Sequence, residues 1–515
     1  MRIVLTASEA SSFARTGGLA DVVSALGREF DRAGHDVALV LPFYPRLVAR
    51  CRDVIPPIEP TGLTIRLPVG LQLVAATVWR SRLPGTRADV LLIDQPEFFA
   101  RRQPYQDQRR NDQDYADNCE RFSYLSRAVV EVIRQMNLEP DIIQVHDWQT
   151  ALVPVLVEHI LRPRGELLNS ATLLSIHNLE VQGRFSRDQA TLSGLDDVPV
   201  MQVAFESQNE VNLLQAGIES ADQIITVSPT YAREIQLSEF GHGLHELFRS
   251  RARHLAGILN GVDSATWNPA TDRFIARNFS VASGDVLPAK AVCKGALQER
   301  VGLPRRGEVP LLGVVSRLIE RKGIELLLAC SDSLLREDVQ LVVLGQGEKS
   351  IQSRLASLAE RHPSQVSVTL ARNESLAHQI IAGADLIVMP SRTEPAGLNQ
   401  LLAQSFGTPP IVRATGGLAD SVVDATPHHL ATGSASGFVF EPYDSRSLEQ
   451  TVRRAMQLYR DRLAWSKLVH AAMRLDRSWT RSAEQYLDVY ERTLARRRSQ
   501  PVASCVEYTE ERIAG

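Results

Sequence analysis

The hexapeptide TGGLAD occurs twice in this chain, at Thr16–Asp21 and again at Thr415–Asp420. In both places it follows a predicted strand and opens a predicted helix. Because glycine has no β-carbon, the N–H groups at the start of such a helix can approach an anion closely, and the helix dipole favours its charge. Both copies are therefore predicted to bind phosphate; a turn that only packs strand against helix is the alternative. The contacting residues would be Gly17 and Gly18 in the first copy and Thr415, Gly416 and Gly417 in the second.

Neither copy matches the other common phosphate-binding motifs. The glycine spacing is not the G-x-G-x-x-G of a dinucleotide-binding turn, and no Lys-Ser/Thr pair follows as in a P-loop. Hydride transfer and nucleoside triphosphate hydrolysis therefore have little support.

Two cations in the second half of the chain could act on a phosphorylated substrate. Arg317 follows the predicted strand Leu311–Val315, and Lys322 precedes a predicted helix that starts at Gly323. Open α/β sheets bind ligands at the carboxyl edge of their strands. A diphosphate leaving group needs such cations when no metal ion is present. Two solvated basic residues in a turn are the alternative.

Glu394 is the carboxylate best placed for sugar chemistry. It follows a predicted strand ending at Met389, precedes an amphipathic helix and lies close to Gly397. A carboxylate at that edge can bind sugar hydroxyls. Its charge could equally serve only to stabilise the N-terminus of the helix.

Polar clusters follow two predicted strands in the first half of the chain. One is His146-Asp147-Trp148 and the other is His177-Asn178. A single histidine in such a position is more often structural. Two clusters at one sheet edge nevertheless favour a crevice that binds a polyol.

A metal site is not predicted. A metal-dependent transferase usually carries a carboxylate pair directly after a hydrophobic strand. Asp112 and Asp114 have the spacing, but they lie in the polar run 106–117 and are predicted to form a solvated loop. We therefore expect neither a metal ion nor a cofactor.

The elements that position these residues alternate between short β-branched runs and helical periodicity, which indicates an α/β fold with two doubly wound sheets. Predicted strands of the first half are Ile3–Thr6, Val37–Leu41, Val90–Ile93, Ile142–Val145, Thr172–Ile176 and Gln223–Val227. Those of the second half are Leu311–Val315, Gln340–Leu344, Val366–Leu370, Leu386–Met389 and Pro410–Val412.

The chain length also predicts two domains. Its 515 residues exceed the roughly 250–300 residues at which single cores stop growing. We predict an N-terminal domain over residues 1–255 and a C-terminal domain over residues 256–473. A final helix is predicted at about Arg481–Arg498, with the basic run Arg496–Arg498 as a solvated helix end.

Composition argues against several classes of protein. The net charge of −3 provides no basic field for nucleic acid or an anionic membrane. The five cysteines are scattered and odd in number, as in a reduced cytosolic protein. No apolar run approaches the length of a membrane span or a signal-peptide core, so a cytoplasmic location is expected.

In combination and order, these segments resemble the glycogen and starch synthases from one end of the chain to the other. In the first half the resemblance is carried by Arg15–Asp21, Val145–Trp148, His177-Asn178, Val227–Ala232 and Leu259–Asp263. In the second half it is carried by Ser316-Arg317, Lys322-Gly323, Pro390–Arg392, Glu394-Pro395 and Thr415–Asp420.

The resemblance implies a GT-B fold, in which two Rossmann-like domains face each other across a deep cleft. It also implies that the helix within residues 474–515 packs back on the first domain. The implied reaction is a retaining transfer of glucose from ADP-glucose to the non-reducing 4-OH of an α-1,4-glucan. No metal ion, nucleic acid or membrane takes part, and the oligomeric state stays open.

The resemblance also implies residue roles. The catalytic set would be Glu394, which binds the donor sugar, Arg317 and Lys322, which neutralise the diphosphate, and His177, which holds the transferred glucose with Asp147. Further donor-binding positions carried over are Arg15, Gly17, Gly18, Asn260, Gly397, Leu398, Thr415, Gly416 and Gly417. The acceptor is assigned to Tyr105 and Trp148.

The chain departs from the family pattern at several positions. Arg15 replaces a lysine, Ala396 a cysteine, Asn399 a threonine, Val181 a tyrosine and Gln215 a lysine. The phosphate-binding parts are better kept than the sugar and acceptor parts. Donor sugar, acceptor length and catalytic competence could therefore differ.

Three alternatives follow. The chain could be a GT-B transferase with a different nucleotide sugar or a small acceptor, or a catalytically weakened glucan-binding paralogue. Glu394, Arg317 and Lys322 argue against loss of activity. A glucan phosphorylase shares the architecture, but it carries pyridoxal phosphate and is a much longer chain.

Overall fold

The computed structural model describes residues 1–51, 54–107, 113–191, 201 and 210–499. The chain forms two compact units. Unit 1 comprises Met1–Thr226, Glu234–Ile258 and the chain from Ala483 onward, and unit 2 comprises Val227–Arg233 and Leu259–Ser482. Each unit is built around one large sheet.

Among the described residues, the large sheet of unit 1 has nine strands in the order β13-β12-β9-β8-β1-β2-β5-β4-β3. All neighbours from β13 to β5 pair in parallel. The parallel strands are β1 Arg2–Thr6, β2 Asp36–Pro42, β5 Asp89–Asp94, β8 Ile142–His146, β9 Ala171–Ile176, β12 Gln223–Thr226 and β13 Leu255–Gly257. The six predicted strands of the first half are therefore confirmed.

An antiparallel hairpin extends this sheet beyond β5 and was missed by the sequence prediction. Its strands are β3 Glu59–Val69 and β4 Gln72–Arg82. Along β3 the buried residues alternate with exposed ones, so no continuous apolar run marks the strand. Pro60 and Pro68 lie within β3, and proline in a run argues against a strand unless it lies at a sheet edge.

Two short strand pairs complete unit 1. They are β6 Gln106–Asp107 with β7 Gln113–Asp114, and β10 Arg184–Ser186 with β11 Glu210–Asn212. Asp114 is exposed in β7 rather than in a loop, and Asp112 lies outside the described residues.

The described part of unit 2 contains a six-stranded sheet, all parallel, in the order β16-β15-β14-β17-β18-β19. Its strands are β14 Leu311–Val315, β15 Gln340–Leu344, β16 Val366–Thr369, β17 Leu386–Met389, β18 Pro410–Arg413 and β19 Phe438–Phe440. The five predicted strands are confirmed, and β19 was missed. Helices cover the sheet, so its strands are almost entirely buried and read as continuous apolar runs.

Helices connect the strands in both units, and no described helix is long and apolar enough to cross a bilayer. In the first half they are α1 Gly18–Arg32, α2 Pro45–Val48, α3 Pro96–Phe99, α4 Asn118–Gln135, α5 Leu152–Leu156, α6 Arg187–Thr191, α7 Leu213–Ser220, α8 Pro229–Glu234 and α9 His245–Ser250. The second half contains α10 Val286–Arg300, α11 Ile324–Leu334, α12 Lys349–Arg361, α13 Glu374–Gly383, α14 Asn399–Ser405, α15 Gly416–Ser421, α16 Pro427–Thr432, α17 Ser445–Arg460, α18 Arg462–Met473 and α19 Trp479–Ser499.

Aromatic packing holds the last helix, α19, within unit 1 from Ala483 onward. The rings of Tyr486 and Tyr490 are fully buried and pack against Phe30 of α1. The Tyr490 hydroxyl donates a hydrogen bond to Gln144 of β8.

The basic run at the end of α19 is not a solvated helix end, contrary to the prediction. Arg496 donates to the carbonyl of Asp222, and Arg497 donates to the carbonyl of Leu168. Arg498 is exposed but pairs with Asp141 at 2.7 Å. The run reads as solvated only because these partners are distant in sequence.

Candidate active site

Three loops meet at the carboxyl edge of the unit 2 sheet, after the neighbouring strands β14, β17 and β18. Two glycines with positive φ allow their close approach. A Cβ on Gly323 (φ +68) would lie 1.9 Å from the carbonyl oxygen of Pro390. A Cβ on Gly416 (φ +43) would lie 2.1 Å from the carbonyl oxygen of Glu394. Neither position accepts a side chain unless the loops move apart.

Glu394 and Lys322 form an ion pair where these loops converge. The Lys322 ammonium lies 2.5 Å from Oε2 of Glu394, and the Ser391 hydroxyl donates to the same oxygen at 3.0 Å. Burial by itself would raise the pKa of Glu394, but Lys322 and Arg321 outweigh it and hold that pKa below its ordinary value. The buried carboxylate is therefore ionised and can accept hydrogen bonds from sugar hydroxyls.

Arg317 and the second hexapeptide copy lie at the same sheet edge. Arg317 is exposed two residues after β14, and Thr415 is buried two residues after β18. Gly417 donates its N–H to the carbonyls of Glu394 and Pro395, at 3.1 and 3.0 Å. This phosphate-binding candidate is thus tied directly to the Glu394 loop.

The two hexapeptide copies have the same sequence but different surroundings. Thr415–Leu418 is buried, whereas Thr16–Gly18 is exposed. A Cβ on Gly417 would lie 1.9 Å from the carbonyl oxygen of Ala396, while a Cβ on Gly18 would meet no atom within 4 Å. Packing explains the glycines of the second copy and does not explain those of the first.

The first copy opens α1 as predicted, but it does not directly follow a strand. β1 ends at Thr6, and an irregular segment precedes Thr16. In that segment Arg15 is exposed and pairs with Asp21 at 3.0 Å. Arg15 thus directly precedes the turn, and its guanidinium is exposed to solvent.

Glu9 ties the first copy to Tyr105. Its buried carboxylate accepts from the Thr16 N–H at 2.6 Å, the Thr16 hydroxyl at 2.9 Å and the Tyr105 hydroxyl at 3.1 Å. No cation lies among these partners, and burial raises the pKa of Glu9 to about 7. The Tyr105 hydroxyl, predicted to contact the acceptor, also bonds to Ser8 at 2.6 Å and so faces inward.

His177 and Asp147 meet at the carboxyl ends of β8 and β9. Oδ1 of Asp147 accepts the His177 backbone N–H at 2.7 Å, and Asp147 adopts a positive φ of 54°. Burial raises the pKa of Asp147 and lowers the pKa of His177. His177 is therefore a neutral imidazole, able to exchange hydrogen bonds with hydroxyl groups.

Trp148 is 5% exposed and lines a pocket of about 400 Å³ in unit 1. Its Nε1 has no hydrogen-bond partner among the described residues. The pocket wall combines aromatic rings, carboxylates and donors, among them Phe185, Asp114, Glu180, Arg184 and His242.

The remaining predicted donor-binding residues lie in unit 2. Gly397 has a φ of +65° beside Gln400, and Leu398 is 37% exposed next to it. Asn260 precedes Gly261, where a Cβ would lie 2.5 Å from the backbone of Trp479. Asn260 thus lies against the start of α19, and its buried Oδ1 has no partner among the described residues.

Sequence reasoning missed the importance of Glu9 and left His146 without a role. Glu9 follows β1 by three residues, a position at which a carboxylate could have been flagged. His146 was noticed within its cluster, but its contact with His177 is invisible in the sequence.

Comparison with known proteins decides the family. Residues 2–250 match the starch synthase catalytic domain, and residues 297–469 match the glycosyl transferases group 1. Glycogen synthase 1 of Methylococcus capsulatus is 41% identical over 499 residues, covering 96% of this chain and 97% of its own. The chain belongs to the glycogen and starch synthase family. It is a glycosyltransferase, as predicted.

Other members of this family support the same assignment. A glycogen synthase of Rhodopirellula baltica is 39% identical, with 97% of this chain and 100% of its own covered. The solved catalytic domain of starch synthase IV from Arabidopsis thaliana, bound to ADP and acarbose, superposes with a TM-score of 0.83 at 34% identity. That alignment covers 96% of this chain and 99% of the starch synthase chain. The predicted class, GT-B with two Rossmann-like domains, is confirmed.

Proposed function

We propose that this glycogen synthase relative transfers glucose from ADP-glucose to the non-reducing 4-OH of an α-1,4-glucan, with retention at the anomeric carbon. The observation that carries the proposal is the ionised, buried Glu394 carboxylate paired with Lys322 and joined to the TGG turn of unit 2. This arrangement offers an acceptor for sugar hydroxyls next to cations and the positive end of a helix for a diphosphate.

On the donor side, Lys322 and Arg317 stabilise the negative charge that develops on the leaving ADP. The start of α15, at Thr415–Gly417, adds the positive end of a helix dipole; the N–H groups of Thr415 and Gly417 themselves bond to backbone carbonyls. Glu394 orients the glucosyl group through its hydroxyls. Stabilisation aimed at developing charge is usually the largest contribution to such catalysis.

We assign the binding of the transferred glucosyl group to His177 and Asp147. The two-carboxylate mechanism of retaining glycosidases requires a nucleophile and an acid in a defined pair. Asp147 instead uses one oxygen to hold the His177 backbone, and burial favours its protonated form. We therefore favour front-face displacement, in which the acceptor attacks from the side that the diphosphate leaves.

The acceptor assignment falls to the pocket beside Trp148. Its aromatic rings suit the apolar faces of glucose units, and its carboxylates and Arg184 suit their hydroxyls. No cofactor is proposed, and the diphosphate is stabilised without a metal ion. The cytoplasmic location stays a prediction.

The deciding experiment incubates the purified chain with labelled ADP-glucose or UDP-glucose, with and without glycogen. We expect label in polymer with ADP-glucose and glycogen together, and its release by an enzyme that cleaves α-1,4 linkages. Transfer only from another donor, or only to a small sugar, would favour the alternative GT-B activity. Binding of glycogen without transfer would indicate the weakened paralogue.

A further inference from the structure

His146 and His177 share a hydrogen bond at the end of the unit 1 sheet. Nδ1 of His146 lies 3.0 Å from Nε2 of His177. The ring centroids are 5.3 Å apart and the planes are inclined by 24°. The centroid separation exceeds the N–N separation by about the width of one ring, so the rings meet at their edges with the two nitrogens pointing at each other. This is the geometry of a hydrogen bond rather than of a face-to-face stack.

The strand end holds His146 in place. His146 is fully buried. The Thr150 hydroxyl accepts a hydrogen bond from the His146 backbone N–H at 2.8 Å and donates one to the His146 carbonyl at 2.9 Å. His177 is fixed in turn by the bond from its backbone N–H to Asp147. These bonds fix the backbone positions from which the two rings meet.

Only one proton can lie between the two nitrogens, and the surroundings of His146 decide which ring supplies it. The Nε2 of His146 is buried without a partner among the described residues. If His177 supplied the proton, the neutral His146 would carry its own proton on this Nε2, as a buried N–H with no acceptor. Buried N–H groups without acceptors are rarer in proteins than under-satisfied acceptors. His146 is therefore the donor through Nδ1.

The donor role of His146 determines the tautomer of His177. If Nε2 of His177 accepts the bond, a neutral His177 must carry its proton on Nδ1. Within the described part of the chain, Nδ1 of His177 has no hydrogen-bond partner. It is therefore available as a donor.

We propose that His146 is a positioning residue that holds His177 as the Nδ1–H tautomer, so that His177 presents a hydrogen-bond donor to the transferred glucosyl group. The proposal rests on the proposed function for its last clause only. The tautomer itself is a property of the protein and can be measured without substrate.

The first experiment measures that tautomer in the full-length protein. The 12 histidines are labelled with ¹⁵N in their rings, and His177→Gln identifies the signals of His177 by their loss. We expect a protonated Nδ1 and an unprotonated Nε2 for His177 in the wild type. A protonated Nε2 would overturn the proposal.

The second experiment compares two variants of nearly equal shape. Asparagine at position 146 keeps a donor close to the position of Nδ1, whereas leucine removes it. We expect His146→Asn to retain the His177 Nδ1–H signal and a kcat within about threefold of the wild type. His146→Leu should lose the uniform tautomer and lower kcat by about 10- to 100-fold. If both variants fold and lose kcat equally, His146 only packs against its neighbours, and the proposal is overturned.

The outcomes separate this proposal from the proposed function. If His146→Leu does not fold, the wild-type and His146→Asn spectra still decide the tautomer. If the wild type transfers no glucose from ADP-glucose to glycogen, the proposed function fails, while the spectrum alone supports or overturns the assignment of His146.

Discussion

Lys322 places its ammonium 2.5 Å from Oε2 of Glu394, a residue 72 positions later in the chain. The sequence marks both residues as candidates for donor chemistry but does not show that they pair. Their pairing means that each sets the charge environment of the other, and that a diphosphate near Lys322 competes with Glu394 for the ammonium.

The first prediction concerns this pair. Glu394→Gln removes the charge that accepts sugar hydroxyls and opposes Lys322, so kcat should fall by roughly 10²–10⁴-fold, or about 3–5 kcal/mol of barrier. The matched control is Glu320→Gln, an exposed carboxylate beside the same loop, which should leave kcat nearly unchanged. Wild-type turnover in a folded Glu394→Gln variant would remove Glu394 from the active site.

The second prediction tests metal independence. Because Arg317, Lys322 and a helix N-terminus can stabilise the diphosphate, glucosyl transfer should persist in excess EDTA. Initial rates before and after chelation provide the measurement. Complete loss that Mg²⁺ or Mn²⁺ restores would contradict it, and Asp112 and Asp114 would then need reconsideration.

The third prediction uses the repeated hexapeptide as its own control. Gly417→Ala would force a Cβ to 1.9 Å from the Ala396 carbonyl oxygen and should destabilise the fold by about 1–3 kcal/mol or more. Gly18→Ala meets no atom within 4 Å and should leave the unfolding transition unchanged. If the first copy receives an anion, Gly18→Ala should nevertheless lower kcat/KM. Full activity of this variant would show that no ligand approaches that glycine.

The fourth prediction concerns Arg15. Its ion pair with Asp21 is exposed, and exposed pairs contribute about 0–1 kcal/mol, so Arg15→Ala should change thermal stability little. If the guanidinium reaches the donor, kcat/KM should fall by roughly 10–150-fold. Arg15→Lys keeps the charge but loses the planar fork, so an intermediate value is expected with ADP-glucose. Agreement of all three proteins within about twofold would place Arg15 outside the donor site.

The fifth prediction is a pH dependence caused by Glu9. Burial raises its pKa from 4.5 to about 7 in the fold, whereas the unfolded chain ionises near the ordinary value. Between these values the folded state binds more protons, so the free energy of unfolding falls as the pH rises, and the loss is complete above about pH 7. Glu9→Gln removes this titration. Its free energy of unfolding relative to that of the wild type should therefore be up to about 3 kcal/mol higher at pH 8 than at pH 4. Denaturant unfolding of both proteins at the two pH values measures this change. The same stability difference between the two proteins at both pH values would contradict the raised pKa.

The sequence alone determined the strands that carry the site and the order of the motifs along the chain. Parallel strands covered on both faces need continuous apolar runs, which is why β1, β8, β14 and β17 could be identified. The repeated TGGLAD segment is likewise visible locally, and each copy opens a helix, α1 or α15. The family resemblance rests on such local signals in fixed order.

The tertiary structure decided what each side chain contacts. The β3–β4 hairpin escaped prediction because half of its residues face solvent and prolines interrupt it. The Glu9–Tyr105 and His146–His177 contacts join residues 96 and 31 positions apart. Protonation depends on such contacts, because burial and a neighbouring donor set the pKa of a carboxyl and the tautomer of an imidazole. Identical TGGLAD segments thus became an exposed turn at Gly18 and a buried one at Gly417, since only folding determines what lies against them.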